Sequence, residues 1–418
     1  MHETTLLDKP VEIDEPVVNV LEEGFLHKII VFFNVPARWP GWAIALAGLL
    51  LAALSGLIWQ YNIEAVQTAG TIALVQVGFM AGDGVILYLL PRKQLSFGPW
   101  KAHFIVLAVP RALATMAIGF LTIAGWSSIA SAIQLFGAVQ LLGTVTFIWG
   151  AVVEPFRLGV GEFYVLTNRF PAGAPPVRLL HISDLHVERL TKREKKLLRL
   201  VKEIRPDLIV ITGDFVNLSY NRDPQTHAQV KWLLSKLSAP YGVYATLGSP
   251  TADLREEVAP LFEELPVSLM RQAWHCLELG YGRELVLLGL DCTHHIPTDA
   301  ARLARLVEVS RNGAPQILLY HSPELAPQAA EHGVDLYLCG HTHGGQVRLP
   351  FIGPVFTSSQ LGRRFVMGLY RVGRMSLYVS RGVGLEGLSM PRIRFLAPPE
   401  VTLVTIMSPR ENSHFGSQ

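Results

Sequence analysis

Four stretches in the first 155 residues are apolar for long enough to cross a hydrocarbon core, which needs about 20 such residues in a helix. They run from Trp42 to Tyr61, Ala69 to Leu90, Phe104 to Trp126 and Ile129 to Val153. A segment in lipid must satisfy its backbone internally, so each is expected as a helix. No polar face recurs along them, which argues against core helices of a soluble bundle. Trp42, Trp59, Tyr61 and Trp126 stand at their ends, where amphipathic rings are expected at the interface.

Lys and Arg orient the spans. Lys28 and Arg38 precede the first, Arg92, Lys93 and Lys101 separate the second from the third, and Arg157 and Arg169 follow the fourth. The connection from Asn62 to Thr68 and the tight one near Ser127 carry none. The positive-inside rule then puts both termini in the cytoplasm, together with everything after the fourth span. Met1 to Glu23 is acidic and lacks the basic start of a cleavable signal, so the first span is expected to stay attached. Val17 to Phe33 is apolar with charges interspersed and reads equally as an interfacial helix or a connecting segment.

Two charges lie inside the spans. Asp83 comes eight residues before Pro91 and Arg111 eight residues after His103, so both fall about 12 Å from the same loop on antiparallel neighbours. A lone charge at that depth costs at least about 2.5 kcal/mol, and an Asp83–Arg111 ion pair is the expected remedy. The alternative is an Arg111 that snorkels to the headgroups beside a protonated Asp83.

From Phe156 onward charged and apolar residues mix as in a globular domain. A net charge of +2 gives no broad footprint for nucleic acid, so no nucleic-acid partner is expected. The three cysteines, Cys276, Cys292 and Cys339, lack paired spacing and fit a reducing compartment. Val177 to Ser183 and Leu208 to Thr212 are continuous apolar runs, as buried strands of an α/β sheet should be. Lys192 to Ile204 between them has the apolar spacing of a helix. Further strands are expected at Gly242–Leu247, Glu284–Leu290, Gln316–Tyr320 and Asp335–Cys339, with helices near Asp253–Glu264, Asp299–Ser310 and Pro323–His332.

The polar residues of interest follow strand ends: Asp184 and His186, then Asp214, then His321, then His341 and His343. In open α/β sheets the carboxyl ends of strands converge on one crevice, so these loops can meet despite their separation in sequence. Carboxylate and imidazole ligands without thiolate suit Mn, Fe or Zn. An Asp-x-His loop can place two ligands on one ion, and a shared Asp can bridge two ions about 3.5 to 4 Å apart.

The ordered set Asp184-Leu-His186, Gly213-Asp214, Tyr320-His321 and Gly340-His341-Thr-His343-Gly-Gly-Gln resembles the calcineurin-like metallophosphoesterase superfamily. It is similar in particular to the bacterial membrane-associated branch, which carries N-terminal spans. The resemblance implies an α/β fold, a four-layer αββα sandwich preceded by the four-helix transmembrane region. It implies two divalent ions, one on Asp184, His186, Asp214 and His343, the other on Asp214, His321 and His341. Asp214 and His341 would flank the metal-activated water. The implied activity is a metal-dependent phosphohydrolase cleaving a phosphoester or pyrophosphate, and the membrane setting suggests a lipid-linked substrate among membrane lipids. The expected domains are 1–40, an N-terminal cytoplasmic or interfacial segment; 41–155, the spans; 156–176, a linker; 177–408, the phosphoesterase domain; and 409–418, a flexible tail.

One motif departs from the family pattern. Where Gly-Asn-His-Asp or Gly-Asn-His-Glu belongs, the chain has Gly248-Ser249-Pro250-Thr251. Ser249 Oγ remains as a weaker neutral ligand, Asp253 is within reach of a longer loop, and Pro250 can neither stabilise charge nor donate a proton, the roles the resemblance implies for the His. A member that binds metal or ligand without turnover, as a sensor or scaffold, is therefore the alternative. A third reading gives the function to the spans, regulated by the soluble domain. His294 and His295 are expected as loop residues outside the ligand set. Leu385 to Pro399, with Arg392 and Arg394, reads as a lip touching membrane and phosphate or, preferentially, as an ordinary packed strand and turn.

Overall fold

A computed structural model describes residues 25–61 and 66–409. The acidic N-terminal stretch, the start of the first inter-span connection and the tail expected at 409–418 lie outside the described residues, apart from residue 409. Contacts divide the chain into two compact units: residues 25–154 with Gly387–Ile393, and Pro155–Glu386 with residues 394–409.

The first unit is helical. Helix α1 (Phe25–Asn34) covers the end of the apolar stretch before the spans. Helices α2 (Gly41–Gln60), α3 (Val66–Arg92), α4 (Trp100–Ile123) and α5 (Ile129–Ile148) are, among the described residues, long and apolar enough to cross a membrane. Their outward faces carry apolar side chains such as Leu50, Leu57, Leu74, Leu113 and Leu142. With no hydrophobic drive between helices in lipid, small residues let backbones approach. A Cβ on Gly56 of α2 would lie 3.1 Å from that of Ala73 on α3. Trp42, Tyr61 and Trp126 are exposed at helix ends, but Trp59 is fully buried and its indole donates to Thr115 O of α4 at 2.9 Å. Its N–H finds a carbonyl inside the bundle, so the interfacial position expected of it is not taken.

Arg111 of α4 lies between two other helices, α3 and α5. Its Nε and Nη2 donate to the two oxygens of Asp83 on α3 at 2.6 and 2.9 Å. Its Nη1 reaches Gln140 O and Oε1 of α5 at 2.8 and 3.0 Å, and Nη2 also donates to Thr144 Oγ1 at 2.7 Å. The side chain stays within the bundle and does not snorkel.

The second unit contains two six-stranded sheets. The first has the order β1 (Gly159–Leu166), β14 (Glu400–Met407), β2 (Val177–Ile182), β3 (Leu208–Thr212), β4 (Val243–Thr246), β5 (Ser268–Leu269). The second has the order β12 (Gly368–Val372), β13 (Met375–Val379), β9 (Leu336–Cys339), β8 (Gln316–Leu319), β7 (Glu284–Gly289), β6 (Ala273–Glu278). A small pair, β10 (Arg348–Leu349) and β11 (Gly353–Pro354), lies outside them. The stretch read as a linker contributes β1, which pairs with β14 in parallel from Gly159↔Glu400 to Leu166↔Met407.

Alternation along the strands builds three cores. Leu179, Val210, Leu287, Leu319 and Leu338 meet between the two sheets. Leu180, Ile209 and Ile211 face the other way, toward α6 (Lys192–Ile204) and α7 (Pro224–Leu234). Leu288, Leu318 and Tyr337 face α9 (Ile296–Val309) and α10 (Ala326–Glu331). The layers are thus helix, sheet, sheet, helix. Helix α6 starts on a capping box between Thr191 and Glu194, which satisfies two of its free N–H groups. The helix expected over Asp253–Glu264 is only α8 (Arg255–Val258) followed by a 3-10 turn, Ala259–Phe262. Pro260 offers no N–H to continue it.

Candidate metal centre

The six expected ligands all come from loops that leave the carboxyl ends of central strands. Asp184 and His186 follow β2, Asp214 follows β3, His321 follows β8, and His341 and His343 follow β9. All six are buried. Asp184, Asp214, His186, His341 and His343 adopt left-handed φ between 40° and 70°. Non-glycine residues hold such values at a cost of order 1 to 3 kcal/mol each, so something must over-determine them. Backbone bonds between loops do this: Asp184 N to Gly213 O at 3.1 Å, His186 N to Asp214 O at 2.9 Å and Gly340 N to His321 O at 2.8 Å. His341 N donates to Asp184 Oδ1 at 2.9 Å. The crossing is so close at Gly213, φ 77°, that a Cβ there would lie 2.3 Å from Gly248 Cα.

The ligand atoms fall into two adjoining sets. Asp184, His186 and His343 bring theirs within 4.8 Å of one another, and so do Asp214, His321 and His341. Asp214 Oδ2 stands between the sets, 3.3 Å from His186 Nε2 and 3.2 Å from His321 Nε2. Imidazole nitrogens face each other within each set: His186 Nε2 to His343 Nε2 at 3.0 Å, and His341 Nδ1 to His321 Nε2 at 3.2 Å. Asp184 Oδ2 is buried without a hydrogen-bond partner. An orphaned carboxylate oxygen among convergent ring nitrogens suits divalent cations, whose charge would satisfy both. His321 Nδ1 donates to Thr212 O at 2.8 Å, which turns Nε2 inward in the orientation a ligand needs.

The electrostatics of the metal-free protein follow from this crowding. Burial alone would raise Asp214, but His321, with His186 and His341 beside it, holds its carboxyl well below the usual range. Burial works against a charged His321, yet Asp214 and Asp184 raise it to about 10. Burial and the neighbouring His321 lower His341 to about 3. Burial raises Asp184. For His186, Glu386 and Asp214 outweigh burial and raise it.

Three acidic or imidazole groups outside the expected set also reach the centre. Glu386 Oε2 lies 3.1 Å from His186 Nε2. His294, expected as an outlying loop residue, is instead buried with its ring centroid 4.7 Å from that of His341. With Glu324 and His341 it forms a further group whose ligand atoms lie within 4.8 Å of one another. Burial, then His341 and His321, keep His294 well below the ordinary histidine range. Asp253 does not swing in as a ligand. Its carboxylate accepts the backbone N–H of Asp214, Phe215 and Gly248, each at 2.8 Å. His294 and Glu386 both follow strands, β7 and β13, so the strand-end rule that found the ligands could have flagged them. His295 turns away to Thr298 Oγ1 at 2.7 Å.

In the altered motif, Ser249 N donates to Asp214 Oδ1 at 2.7 Å and Ser249 Oγ lies 3.0 Å from His294 Nε2. Pro250 is half-buried and brings no polar side chain. Arg394 is not a substrate-facing cation: it is fully buried, with donors on the carbonyls of Gly384, Ala397 and Arg381. Arg392 belongs to the helical unit, donating to Leu388 O and Met390 O. Of the two readings of Leu385 to Pro399, the preferred one, packed chain, holds at Arg394.

The family profile described as calcineurin-like phosphoesterase matches residues 177–345, the span that carries all six ligands. The chain is 32% identical over 264 residues to the metallophosphoesterase YkuE of Bacillus subtilis, covering 61% of this chain and 88% of that protein. The chain belongs to the calcineurin-like phosphoesterases. It is a metal-dependent phosphoesterase whose catalytic domain is joined to four helices able to cross a membrane. Phosphodiesterase YaeI of Escherichia coli is 29% identical over 257 residues, covering 59% of this phosphoesterase and 89% of YaeI. UDP-2,3-diacylglucosamine pyrophosphatase LpxG of Chlamydia trachomatis is 26% identical over 317 residues, covering 62% and 92%.

Proposed function

We propose that this phosphoesterase hydrolyses a phosphoester or pyrophosphate bond of a lipid-linked substrate at the cytoplasmic face of the membrane. The observation that carries the hydrolytic part is Asp214 Oδ2, flanked by His186 Nε2 at 3.3 Å and His321 Nε2 at 3.2 Å, which joins the two ligand sets into one centre. Asp184, His186, Asp214 and His343 would hold one divalent ion and Asp214, His321 and His341 the other, with Mn, Fe or Zn suited to these donors. Bound there, such a pair supplies a hydroxide at neutral pH and charge stabilisation for in-line displacement at phosphorus.

The chain's own residues do the positioning. Thr212 O fixes the ring of His321, and Asp253 ties the Asp214 loop to the Gly248 loop. Burial of all six ligands keeps competing water away from them. Glu386, a third exposed, marks the side of the centre open to solvent. A lipid-linked substrate is supported by the spans on the same chain and by the diacylated substrate in the name of LpxG. The cytoplasmic face is supported by the Lys and Arg distribution around the spans.

Pro250 favours a second reading, a member that binds metal and phosphorylated ligand without turnover. Purification in detergent, metal analysis, and hydrolysis assays on a phosphodiester and a lipid pyrophosphate, with Asp214→Asn as control, separate the two. Two ions per chain with Asp214-dependent turnover are expected. Bound ions with no turnover on either substrate class would favour the second reading.

A further inference from the structure

The Ser249 hydroxyl carries one proton and two lone pairs, and it serves a cation when the proton points away, an orientation that an acceptor on the far side fixes. Ser249 N is tied to Asp214 Oδ1 at 2.7 Å, so its side chain sits beside the carboxylate shared by the two ligand sets. A Cβ added at Gly248 would lie 2.0 Å from that same Oδ1, which measures how closely the two loops are pressed together. On its other side, Ser249 Oγ meets His294 Nε2 at 3.0 Å.

His294 is held for this contact. Its backbone sits at φ 60°, a conformation a non-glycine residue adopts only under constraint. Gln360 Nε2 donates to His294 O at 2.9 Å, and Gln360 N donates to Glu324 Oε1 at 3.1 Å, so one residue braces both groups. Glu324 Oε2, buried and without a hydrogen-bond partner, faces His294 Nδ1 at 3.9 Å. Cys292 Sγ lies 3.6 Å from the same nitrogen, and with the hydrogen on Nδ1 both the carboxyl oxygen and the sulfur face a donor rather than a lone pair. Nε2 is then a bare acceptor, and the Ser249 proton has somewhere to go.

We infer that His294 is a positioning residue which takes the Ser249 hydroxyl proton as a hydrogen bond, turning the Ser249 oxygen lone pairs toward the ion held by Asp214, His321 and His341. Two loops that follow different strands, β4 and β7, thus assemble a neutral oxygen ligand that neither could orient alone. The inference rests on the proposed two-ion reading of the same centre.

The test is metal binding by the full chain in detergent. After stripping with chelator, Mn(II) is titrated by calorimetry and bound metal is counted, for wild type, Ser249→Ala, His294→Ala, the double variant, Ser249→Asn, and Ser249→Asn combined with His294→Ala. Loss of an outer-shell partner typically weakens metal affinity about tenfold to a hundredfold. Ser249→Ala and His294→Ala are each expected to weaken one of the two ions by that much and leave the other unchanged, with no further loss in the double variant. Ser249→Asn, whose amide oxygen needs no acceptor for a proton, is expected to bind equally well with or without His294. Unchanged affinities in His294→Ala would overturn the inference, as would additive losses in the double variant. So would a loss on removing His294 that persists in the Ser249→Asn background, since that marks a structural role. A third ion that disappears with His294 while the first two stay would overturn it in favour of a separate site on His294, Glu324 and His341. Wild type that binds fewer than two ions would instead overturn the two-ion reading itself.

Discussion

Asp253 Oδ2 accepts the backbone N–H of Asp214 at 2.8 Å, and the same carboxylate takes the N–H groups of Phe215 and Gly248. A side chain outside the ligand set thus fixes the backbone of the residue shared by the two ligand sets. Leaving a buried donor unsatisfied costs about 1 to 3 kcal/mol. Asp253→Ala, which strands three, is expected to lower the thermal unfolding midpoint and to weaken metal binding at the Asp214 centre together. Scanning fluorimetry with and without added Mn(II) measures both. A variant that keeps the wild-type midpoint would show that the carboxylate is dispensable.

Within the helices, Arg111 and Asp83 form a two-pronged ion pair that Gln140 and Thr144 complete. Removing one partner of a buried pair costs about 3 to 5 kcal/mol because the other charge stays behind. Asp83→Ala and Arg111→Leu should each reduce the folded yield in detergent, and Asp83→Ala combined with Arg111→Leu should recover part of it. Fluorescence-detected size exclusion of tagged protein reads this directly. Single variants with full yield would argue against any role for the pair in folding.

Binding of metal should release protons. His321 is raised to about 10 by Asp214 and Asp184, so near neutral pH the metal-free protein carries a proton there that an ion must displace. Apparent metal affinity should therefore rise with pH from 6 to 9. Calorimetric titrations in buffers of different ionisation enthalpy should give a proton release near one per chain or more. Affinity independent of pH would contradict the assignment of His321 as a ligand.

A second histidine governs acid stability outside the centre. His181 in β2 is fully buried, lowered to about 3 by that burial, and paired with Thr212 Oγ1 at 2.8 Å. Because Thr212 Oγ1 donates to Ser183 Oγ, His181 Nε2 must be the donor, and Nδ1 is left without a partner. The folded pKa lies below the unfolded value near 6.5, so the unfolded chain binds the extra proton as pH falls. This histidine's contribution is intact above about 6.5 and is lost progressively toward about 3, by up to about 1.4 kcal/mol per pH unit. The metal-free thermal midpoint should fall less between pH 7 and 5 in His181→Gln than in wild type. Equal slopes would count against this account.

Much of the centre was legible in the chain because strand ends are visible as apolar runs and the ligands stand directly after them. Asp184, His186, Asp214, His321, His341 and His343 needed no distance information to be suspected. His294 and Glu386 obey the same rule, yet their importance depends on loops from different strands meeting, and nothing in their own neighbourhood records that. Asp253 read as a possible ligand because its actual partners are backbone N–H groups, which look alike in every sequence. Strand β1 was read as linker because its pairing partner, β14, lies more than 200 residues away and only the ladder defines it.

The chain alone determined which segments can enter a membrane, since length and hydrophobicity are properties of the residues themselves. It also determined which atoms can meet a divalent cation, since ligand chemistry belongs to the side chain. Tertiary structure decided which of those atoms adjoin, that Arg111 is shared among three helices, and that Ser249 faces His294. Those outcomes depend on the close packing of distant loops, where a shift of an ångström separates a hydrogen bond from a vacancy.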